Sequence, residues 1–567
     1  MIRDCLKTLL ISDFNIQTLA GYLENDSMSP SVKATVPLFG QVMPILLNRN
    51  SECWNQNYDS AIIWTRPEGV IDSYRRCIEF ERIPEETVLK ETDSFVEAVL
   101  SLQDRIQSIL TPTWTEPQVM AGYGILDMKP GLGLSHLLMR MNLRLAEKLN
   151  DSPQAHLLDA NRWNLMSEEA PYNPKLWYMG KISFSNQVFK AASSDIKAAL
   201  RGIHGEAKKI IIIDLDNTVW GGITGDDGWQ NLRLGGHDPE GEAFADFQKA
   251  LKVYSKRGIL LAVVSKNEES VALEAIDKHP EMILSRSDLV GWRINWSDKA
   301  QNILDLLEDL KLGTQSAVFI DDNIAERERV RQALPDVLVP EWPLNPLLYK
   351  QTFLRLTCFD TPILTDEDAV RKEMYHAEKQ RENLKVSLSS MEEWLTSLDI
   401  EIQIEELNKS NHKRTAQLLN KTNQMNLSTR RMAEAELVTW AKQNGRRLWT
   451  LRVSDKFGDS GLTGIVAVEH YGNAVTIVDF VLSCRVMGRK VEETMVYHIL
   501  EWGRAENLQK VVARYMPTAK NKPCHRFWMN SGFKYNASNE SFTWDLRQPY
   551  PKPEGIRIKG PKFRSIP

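Results

Sequence analysis

Three stretches of the chain are apolar along their whole length, and each of them runs into polar side chains. "IIIIDL" leads to Asp214 and Asp216, "GILLAVVS" ends at Ser265, and "SAVFID" leads to Asp321 and Asp322. Strands of this kind are buried on both faces, as in a parallel sheet with helices on either side. The carboxyl ends of such strands form the ligand-binding edge of the sheet. The sequence therefore predicts a Rossmann-like α/β domain over residues 206–350, with these side chains gathered at one edge.

The side chains at this edge have the chemistry of phosphoryl transfer. Lys299, in "NWSDKAQN", adds a cation between the second and third strands. The set then holds a carboxylate nucleophile, a second carboxyl that can move a proton, donors for phosphate oxygens and acidic oxygens for Mg²⁺. A single Asp-x-Asp pair is often only a solvated turn. Several motifs in order make a phosphoryl-transfer site the stronger hypothesis.

The segments "DLDNT", "VVSKN", "SDKA" and "FIDDN" resemble, in this order, the four motifs of the haloacid dehalogenase (HAD) phosphatase superfamily. The resemblance implies that Asp214 attacks phosphorus and forms an aspartyl-phosphate. It implies that Asp216 is the general acid and base and lends its backbone carbonyl to the metal. It also implies that Ser265 and Lys299 hold the phosphoryl group.

The same resemblance extends to a metal and to two further phosphate contacts. Mg²⁺ is the implied cofactor, with Asp214, Asp216, Asp321 and Asp322 as its implied ligands. The implied phosphate contacts are Asn217 and Thr218.

The spacing of the motifs leaves little room for a cap domain over this edge. Fifty-one positions separate Asp214 from Ser265, and thirty-four separate Ser265 from Lys299. These intervals hold helices and the approach to the next strand, so we predict a HAD domain without a large cap. Trp220, followed by two glycines, is predicted to begin a short hairpin in its place.

The segment "FVLSCRVMGRKVEE" runs from a predicted strand into a predicted helix. It resembles the pyrophosphate loop of GNAT-type acyltransferases. Arg485 and Gly488 fit that loop, whereas Lys490 replaces its final small residue. Backbone N–H groups at a helix N-terminus favour phosphate. "NKPCHRFWMNSGFKY" resembles the end of the same fold, so we predict a GNAT-like α+β domain over residues 395–547. The implied contacts of an acyl-phosphopantetheine group are Arg485, Gly488, Arg489 and Asn521.

Cys484 lies at the junction of this predicted strand and helix, and it is the candidate for a covalent acyl thioester. A neighbouring arginine, Arg485, and a helix N-terminus both favour the nucleophilic thiolate. The alternative is a small buried residue at the end of a strand, because free cysteines are often buried. The sequence leaves both interpretations open.

Five longer stretches are similar to the FkbH-like proteins, which join a HAD domain to a GNAT-like domain. They are "DLDNTVWGGITGDDG", "LLNKTNQMNLSTRR", "DKFGDSGLTGIV", "SCRVMGRKVEE" and "YMPTAKNKP", and the resemblance spans about residues 208–535. In the second stretch, Asn423, Arg430 and Arg431 are donors for a substrate phosphate or for carrier-protein acids, or else they form a capped helix end.

The family resemblance implies a specific reaction and a specific partner. FkbH-like proteins take a glyceryl unit from 1,3-bisphosphoglycerate, remove phosphate and load the acyl group onto the phosphopantetheine thiol of an acyl carrier protein. The product supplies polyketide or tetronate antibiotic biosynthesis. Three alternatives stay open: another phosphorylated hydroxy acid such as a lactyl precursor, a CoA-dependent N- or O-acyltransferase fused to a phosphatase, and a scaffold with a degenerate HAD domain.

The first block, residues 1–205, also alternates strands and helices. "SAIIWT" and "AHLLDA" are predicted strands, and "LGLSHLLMRMNLRLAEKL" has helical apolar spacing. This predicts an α/β domain, which in FkbH-like proteins is SGNH-hydrolase-like. The block has neither a Gly-Asp-Ser opening nor an Asp-x-x-His near its end. We therefore predict a docking or scaffolding role and no hydrolase activity.

Two segments outside these domains are strongly charged. Residues 351–394 are predicted to be a linker with an exposed connecting helix, for which Thr365 is a candidate N-cap. Residues 548–567 are predicted to be a poorly ordered, basic, proline-rich tail.

The composition excludes several classes of partner and location. A net charge of −5 gives no electrostatic case for nucleic acid or for an anionic membrane. No apolar run reaches the length that spans a membrane. The six cysteines form no C-x-x-C pair, which predicts a reducing, cytoplasmic location.

Overall fold

The computed structural model describes residues 5–117, 119–362, 371–388, 390–432, 434–518 and 520–561. They divide into two units. One holds the described residues up to Ala207 together with Thr357–Pro362, and the other holds the rest. All six cysteines are free thiols. Within the described ranges, no helix has both the length and the apolar character needed to cross a membrane.

The first unit is built on a five-stranded parallel sheet with the order β2-β1-β3-β4-β5. Its strands are β1 Leu6–Ile11, β2 Val32–Thr35, β3 Ser60–Ile63, β4 Ser108–Pro112 and β5 Ala155–Leu158. Its helices are α1 Gln17–Asn25, α2 Val42–Leu47, α3 Pro67–Val70, α4 Asp72–Ile78, α5 Glu85–Leu100, α6 Leu134–Leu149, α7 Ala160–Leu165, α8 Pro174–Gly180 and α9 Asn186–Ile203. The predicted strands β3 and β5 and the predicted helix α6 are all present.

The central block holds a four-stranded parallel sheet with the order β8-β7-β6-β9. Ile210 and Ile212 of β6 lie in one cluster with Ile303, Leu306 and Val330 of the flanking helices. The predicted α/β class is confirmed. The strands are β6 Ile210–Ile213, β7 Leu260–Ser265, β8 Leu289–Ile294 and β9 Ala317–Ile320. The helices are α10 Thr224–Asp227, α11 Pro239–Lys256, α12 Glu269–Lys278, α13 Lys299–Asp309, α14 Ile324–Ala333 and α15 Tyr349–Leu354.

A short hairpin occupies the place where a cap domain would follow β6. Gly221 and Arg233 exchange both backbone hydrogen bonds, at 3.0 and 2.8 Å, and α10 lies between them. Gly222 has a φ of +102°, which an L side chain rarely adopts. α11 starts directly after the hairpin, so the predicted absence of a large cap is confirmed.

The third block contains a nine-stranded sheet that follows the order β16-β17-β15-β14-β13-β12-β10-β18, with β11 paired to β14. The pairing is antiparallel except between β14 and β15 and between β10 and β18. This mixed sheet agrees with the predicted α+β class. The strands are β10 Ile400–Glu406, β11 Met425–Asn426, β12 Arg446–Asp455, β13 Gly458–Tyr471, β14 Ala474–Leu482, β15 Lys510–Arg514, β16 Lys534–Asn536, β17 Ser541–Asp545 and β18 Ile556–Lys559. The helices are α16 Arg371–Ser387, α17 Met391–Leu398, α18 His412–Lys421, α19 Glu434–Ala441, α20 Val491–Ala505 and α21 Lys522–Asn530.

The prediction of an exposed linker helix is wrong. α16 contacts β8 of the central sheet and β13 of the third block, and its residues Met374, Ala377 and Arg381 are buried. α17 belongs to the third block, because Trp394 and Leu398 lie in its core. The third block therefore begins before residue 395. The candidate N-cap Thr365 lies outside the described residues.

The prediction of a disordered tail is also wrong for the part that the structure describes. β18 pairs in parallel with β10, from Ile400 opposite Ile556 onward. Two of its basic side chains pair with acidic ones: Arg557 lies 2.7 Å from Asp399, and Lys559 lies 2.8 Å from Glu401. This part of the tail is thus an edge strand held by backbone pairing, and its basic side chains face acidic ones. Residues 562–567 lie outside the described part of the chain.

Candidate active site

The centre of the site is a buried lysine between two buried carboxylates. Lys299 Nζ lies 2.6 Å from Asp321 Oδ2 and 3.1 Å from Asp214 Oδ1. Asp214 follows β6 and Asp321 follows the adjacent parallel strand β9, so both reach the same edge of the sheet. Lys299 is the first residue of α13. The structure therefore brings together three of the residues that the motifs single out.

Asp322 joins this group and completes a candidate metal site. One carboxylate oxygen from each of Asp214, Asp321 and Asp322 lies within 4.8 Å of the others. Asp214 Oδ1 is buried and, among the residues that the structure describes, accepts no well-directed hydrogen bond, although it makes the ionic contact with Lys299. Three carboxylates facing one lysine leave an excess of negative charge. A hard divalent cation such as Mg²⁺, which prefers carboxylate oxygens, fits this donor set.

The pKa values in the cluster reflect the crowding of like charges. Burial and the charge of Asp214 raise the pKa of Asp321 to about 7, although Lys299 opposes the change. Burial and Asp214 also raise the pKa of Asp322. Burial alone would lower the pKa of Lys299, but the two carboxylates beside it outweigh that effect and raise its pKa. Lys299 is therefore a permanent cation, whereas the carboxylates need a further positive charge at neutral pH.

The cluster predicts a specific pH dependence of stability. The pKa of Asp321 is about 7 when folded, against an ordinary 3.8, so the folded state binds more protons between these values. Stability must then fall as pH rises from about 4 to about 7. In metal-free protein, the thermal midpoint should drop more steeply over this window than in Asp321→Asn. Excess Mg²⁺ should restore the midpoint at pH 7.5 more than at pH 5, because the cation replaces the proton. An equal Mg²⁺ effect at both values would contradict this.

Asp216 lies apart from the metal cluster, and residues of the hairpin donate hydrogen bonds to its carboxylate. Its Oδ1 accepts hydrogen bonds from Trp220 Nε1 at 2.9 Å, from Thr224 Oγ1 at 2.6 Å and from Thr224 N at 3.1 Å. Its Oδ2 accepts only from Asn267 Nδ2, at 2.9 Å, among the described residues. Oδ2 is therefore the oxygen that can carry a proton. The side chain of Asp216 is not among the three clustered metal ligands.

Of three other predicted phosphate contacts, one lies at the sheet edge and two make hydrogen bonds within the protein. Ser265 ends β7 and is buried at the same sheet edge. The hydroxyl of Thr218 donates to Asp322 Oδ1 at 3.0 Å and accepts from the backbone N–H of Asp322 at 3.1 Å. Asn217 Oδ1 accepts the N–H of Gly222 at 3.0 Å. The side chains of Thr218 and Asn217 thus orient a carboxylate and close a loop, which differs from their predicted role.

Two residues outside the motifs support the site. Arg327 of α14 is buried, and its Nη1 donates to the carbonyls of Asp321 and Asp322, each at 2.8 Å. Tyr349 of α15 donates from its hydroxyl to the carbonyl of Asn217 at 3.2 Å. The sequence predicts neither role. Arg327 stands in "AERERVR", a run of charged residues in which nothing marks the one that is buried, and Tyr349 belongs to no motif.

A cavity of about 260 Å³ adjoins the cluster. Asp322 lies in its wall, Gly221 and Arg233 line it from the hairpin, and Phe244 and Tyr349 line it from helices α11 and α15. Pockets for drug-sized ligands measure roughly 300–1,000 Å³. A ligand that fills this cavity is therefore smaller than a drug-sized molecule.

Cys484 is a half-buried free thiol in a 3₁₀ turn directly after β14. Tyr375 of α16 lies close to it: burial raises the pKa of Tyr375 to about 12, and the neighbouring Cys484 adds to the effect. Arg485 donates from Nε to Ser483 Oγ at 3.2 Å and from Nη1 to Met374 Sδ at 2.5 Å. The guanidinium of Arg485 therefore contacts α16.

Gly488 and Arg489 have structural partners that the sequence does not reveal. The N–H of Gly488 donates to Glu492 Oε1 at 2.9 Å. Arg489 is 2% exposed, and its guanidinium binds Glu378, the carbonyl of Arg485 at 2.6 Å, and Asp455 at 3.5 Å. These groups are occupied by the protein itself, which corrects their assignment to a phosphopantetheine group.

Asn521 is likewise a structural residue. It is fully buried, its Oδ1 accepts from Tyr515 Oη at 2.7 Å and from Thr518 N at 2.8 Å, and its Nδ2 donates to the carbonyls of Met516 at 2.9 Å and Asn426 at 3.0 Å. An amide side chain has four hydrogen-bonding positions, and all four are filled. The assignment of Asn521 to ligand binding is corrected accordingly.

The stretch around "NKTNQMNLSTRR" forms a capped helix end, which is one of the two alternatives for it. Arg431 binds Asn423 Oδ1 and the carbonyl of Thr422 at the end of α18. Arg430 binds the buried carboxylate of Asp479. These guanidinium groups are paired within the protein.

Comparison with solved structures gives a likeness over 63% of the chain. No family model matches the chain, and no curated protein matches it. The N-terminal part of the protein BF1531 from Bacteroides fragilis, which contains a phosphatase domain and was crystallised with Mg, matches with 28% identity and a TM-score of 0.55. That match covers 63% of this chain and 94% of that one. A GNAT-family acetyltransferase from Staphylococcus aureus matches with 12% identity and a TM-score of 0.22, over 26% of this chain and 99% of that one, and we rest no conclusion on it.

Proposed function

We propose that the chain is a Mg²⁺-dependent HAD-type phosphatase joined to an acyltransferase of the FkbH-like kind. The observation that carries the phosphatase half is the buried cluster of Asp214, Lys299, Asp321 and Asp322 at the carboxyl ends of adjacent parallel strands. The likeness to the phosphatase domain of BF1531 supports it. The resemblance of "SCRVMGRKVEE" to an acyltransferase loop and the free thiol of Cys484 support the acyltransferase half.

In the phosphatase step, a carboxylate oxygen of Asp214 attacks phosphorus, and the bond from phosphorus to the ester oxygen breaks. Asp216 gives a proton from Oδ2 to the departing oxygen, and Trp220, Thr224 and Asn267 hold that carboxyl in place. Water then hydrolyses the aspartyl-phosphate while Asp216 takes up the proton. A bound Mg²⁺, held by Asp214 with the other two clustered carboxylates, would neutralise charge on the phosphate oxygens.

In the acyl-transfer step, the substrate is a small acyl phosphate such as 1,3-bisphosphoglycerate. Its carbonyl is already activated, so a thiolate can form a thioester while the bond from carbon to the phosphate oxygen breaks. Cys484 gives its thiol proton to the departing phosphate and receives the 3-phosphoglyceryl group, or the glyceryl group if the ester phosphate has been removed first. The phosphopantetheine thiol of an acyl carrier protein then takes the group by thioester exchange. The remaining phosphate is an ester and needs the Asp214 site. This glyceryl thioester would serve polyketide or tetronate biosynthesis in the cytoplasm.

The proposal is tested by incubating the protein with 1,3-bisphosphoglycerate, Mg²⁺ and a phosphopantetheinylated carrier protein. Intact-mass measurement should show a glyceryl adduct on the carrier, and phosphate release should accompany it. A lactyl-type donor in place of the glyceryl donor tests the alternative hydroxy acid. Acetylation of the carrier from acetyl-CoA, with no transfer from the acyl phosphate, would overturn the proposal.

Cys484→Ala should remove the acyl adduct from the enzyme itself, because no other residue is proposed to carry the thioester. The measurement is the intact mass of the enzyme after exposure to the acyl phosphate without a carrier. Cys53→Ala is the matched control, since Cys53 is also half-buried and free, and it should leave the adduct unchanged. An adduct that survives in Cys484→Ala would end this assignment.

A further inference from the structure

The third block contains a cavity that none of the predicted site residues lines. It has a volume of about 510 Å³ and lies between the end of β15 and α21. Tyr515 and Pro517 line it from the segment after β15, and Lys522, His525 and Arg526 line it from α21. Three of the five residues 522–526 thus place a basic side chain (lysine, histidine or arginine) on one side of the cavity.

The charge around this cavity is opposite to that of the whole chain. Residues 507–539 contain six Lys or Arg and no Asp or Glu, in a chain with a net charge of −5. Within the part of the chain that the structure describes, Lys522 and Arg526 have no carboxylate partner. Glu540, in the cavity wall, is held by Tyr535 Oη at 2.8 Å. Two unpaired cations beside a cavity of this size form a receptor for an anion.

Apart from Glu540, the other lining residues are apolar or aromatic, so the anion would be part of a molecule whose remainder is uncharged. Met529 lines the cavity and is 48% exposed. With Tyr515 and Pro517, this side chain offers an apolar surface next to the cations. A phosphate ester on a short uncharged arm has this combination of properties.

The cavity lies toward the same end of the sheet as Cys484. β14 and β15 run parallel, with Ile477 opposite Ala513, and Cys484 follows the last residue of β14, Leu482, after Ser483. The segment after β11 lies between them: Leu427 N–H donates to the Phe480 carbonyl at 3.1 Å, and Met516 N–H donates to the Leu427 carbonyl at 2.9 Å. Two strand spacings, about 10 Å, therefore separate the chain at Met516 from the chain at Phe480, which lies four residues before Cys484. A ligand anchored in the cavity can extend in this direction toward the thiol.

We infer that the cavity formed by Tyr515, Lys522, His525 and Arg526 binds the phosphate group of the ligand that exchanges its acyl group at Cys484. This inference rests on the proposed function for its acyl-transfer partner, but the anion site itself does not. Two kinds of ligand carry such a phosphate group. One is a free phosphorylated acid, and the other is a phosphopantetheine arm.

Calorimetric titration separates these two kinds of ligand when free phosphopantetheine, 3-phosphoglycerate and inorganic phosphate are each added to the full chain. The titrations are run with EDTA, because the Asp214 cluster without a cation repels anions. Binding of phosphopantetheine that is tighter than binding of phosphate identifies the arm, whereas tighter binding of 3-phosphoglycerate identifies the free acid. Binding of none of the three overturns the inference.

Variants locate the binding. Lys522→Ala and Arg526→Ala should each weaken it about tenfold or more, as expected for the loss of a charge-assisted contact. Lys510→Ala, at the other end of β15, should change it less than twofold. Arg526→Lys should recover part of the loss, which shows that the positive charge supports binding, and unchanged thermal midpoints show that the alanine variants are folded. Equal weakening by Lys510→Ala would overturn the inference.

The inference and the proposed function can fail separately. Asp214→Asn, which removes the proposed nucleophile, should bind phosphopantetheine as tightly as the unmodified chain. If acyl transfer is never observed but the cavity variants still weaken binding, the anion site stands and the proposed function falls. If transfer occurs and the cavity variants bind as tightly as the unmodified chain, the anion site falls alone.

Discussion

Asp214→Asn should lower the rate of phosphate release by at least about 10³-fold, because an amide oxygen is a poor nucleophile and the aspartyl-phosphate would not form. Stability should not fall, since the change removes one of the like charges that raise the pKa values of Asp321 and Asp322. The measurements are phosphate release from a small phosphomonoester with Mg²⁺ and the thermal midpoint of the same preparation.

Asp226→Asn is the matched control for this prediction. Asp226 lies in the hairpin of the same block and is exposed, so this variant should keep the activity of the unmodified protein. If Asp214→Asn retained a tenth of the activity, Asp214 would not be the nucleophile. If both variants lost activity, the loss would have to be assigned to the fold of the block.

The central block shows how much of a site can be predicted from sequence. Its strands are apolar throughout, which predicts burial on both faces, and parallel strands bring their carboxyl ends together. Asp214, Lys299 and Asp321 could therefore be placed in one cluster before any distance was known. Asp216 could be placed near them, but its hydrogen bonds could not, because they depend on how the hairpin folds back.

The third block shows where such prediction stops. Arg485 and Gly488 fit a phosphate-loop pattern that implies a ligand contact for Arg489 as well, but Arg489 binds Glu378, which lies 111 positions away in the chain. A local motif does not contain this partner. Asn521 likewise reaches back 95 positions to Asn426. The sequence does not show whether a side chain with several hydrogen-bond donors binds a ligand or another part of the protein. Only the tertiary contacts distinguish these two roles.

The charged helix α16 illustrates the same limit and links the two blocks of the second unit. Glu378 lies 3.0 Å from Lys311 of the central block and also pairs with Arg489 of the third block. Arg381 binds Asp455 through two hydrogen bonds, at 2.7 and 2.8 Å. A sequence so rich in charge is typical of a solvated helix, yet its charges are paired across an interface.

Asp455→Asn should destabilise the third block by about 3–5 kcal/mol, which is the effect expected when one partner of a buried ion pair is removed. The side chains of Asp455 and Arg381 are 1% and 3% exposed. The substitution keeps the shape of Asp455 but leaves the guanidinium groups of Arg381 and Arg489 without its charge. The measurement is the free energy of unfolding from urea denaturation, followed by hydrogen exchange of the β12–β13 hairpin.

Asp459→Asn, in the same hairpin, is the control for this effect. Asp459 pairs with Arg452 at 2.5 Å, but the two side chains are 44% and 56% exposed. Exposed pairs contribute about 0–1 kcal/mol, because water screens the charges. The two substitutions remove the same charge from the same hairpin and differ in burial. A loss in Asp455→Asn no larger than in Asp459→Asn would mean that the pairs around α16 do not hold the third block together, and that apolar packing of α16 alone joins it to the central block.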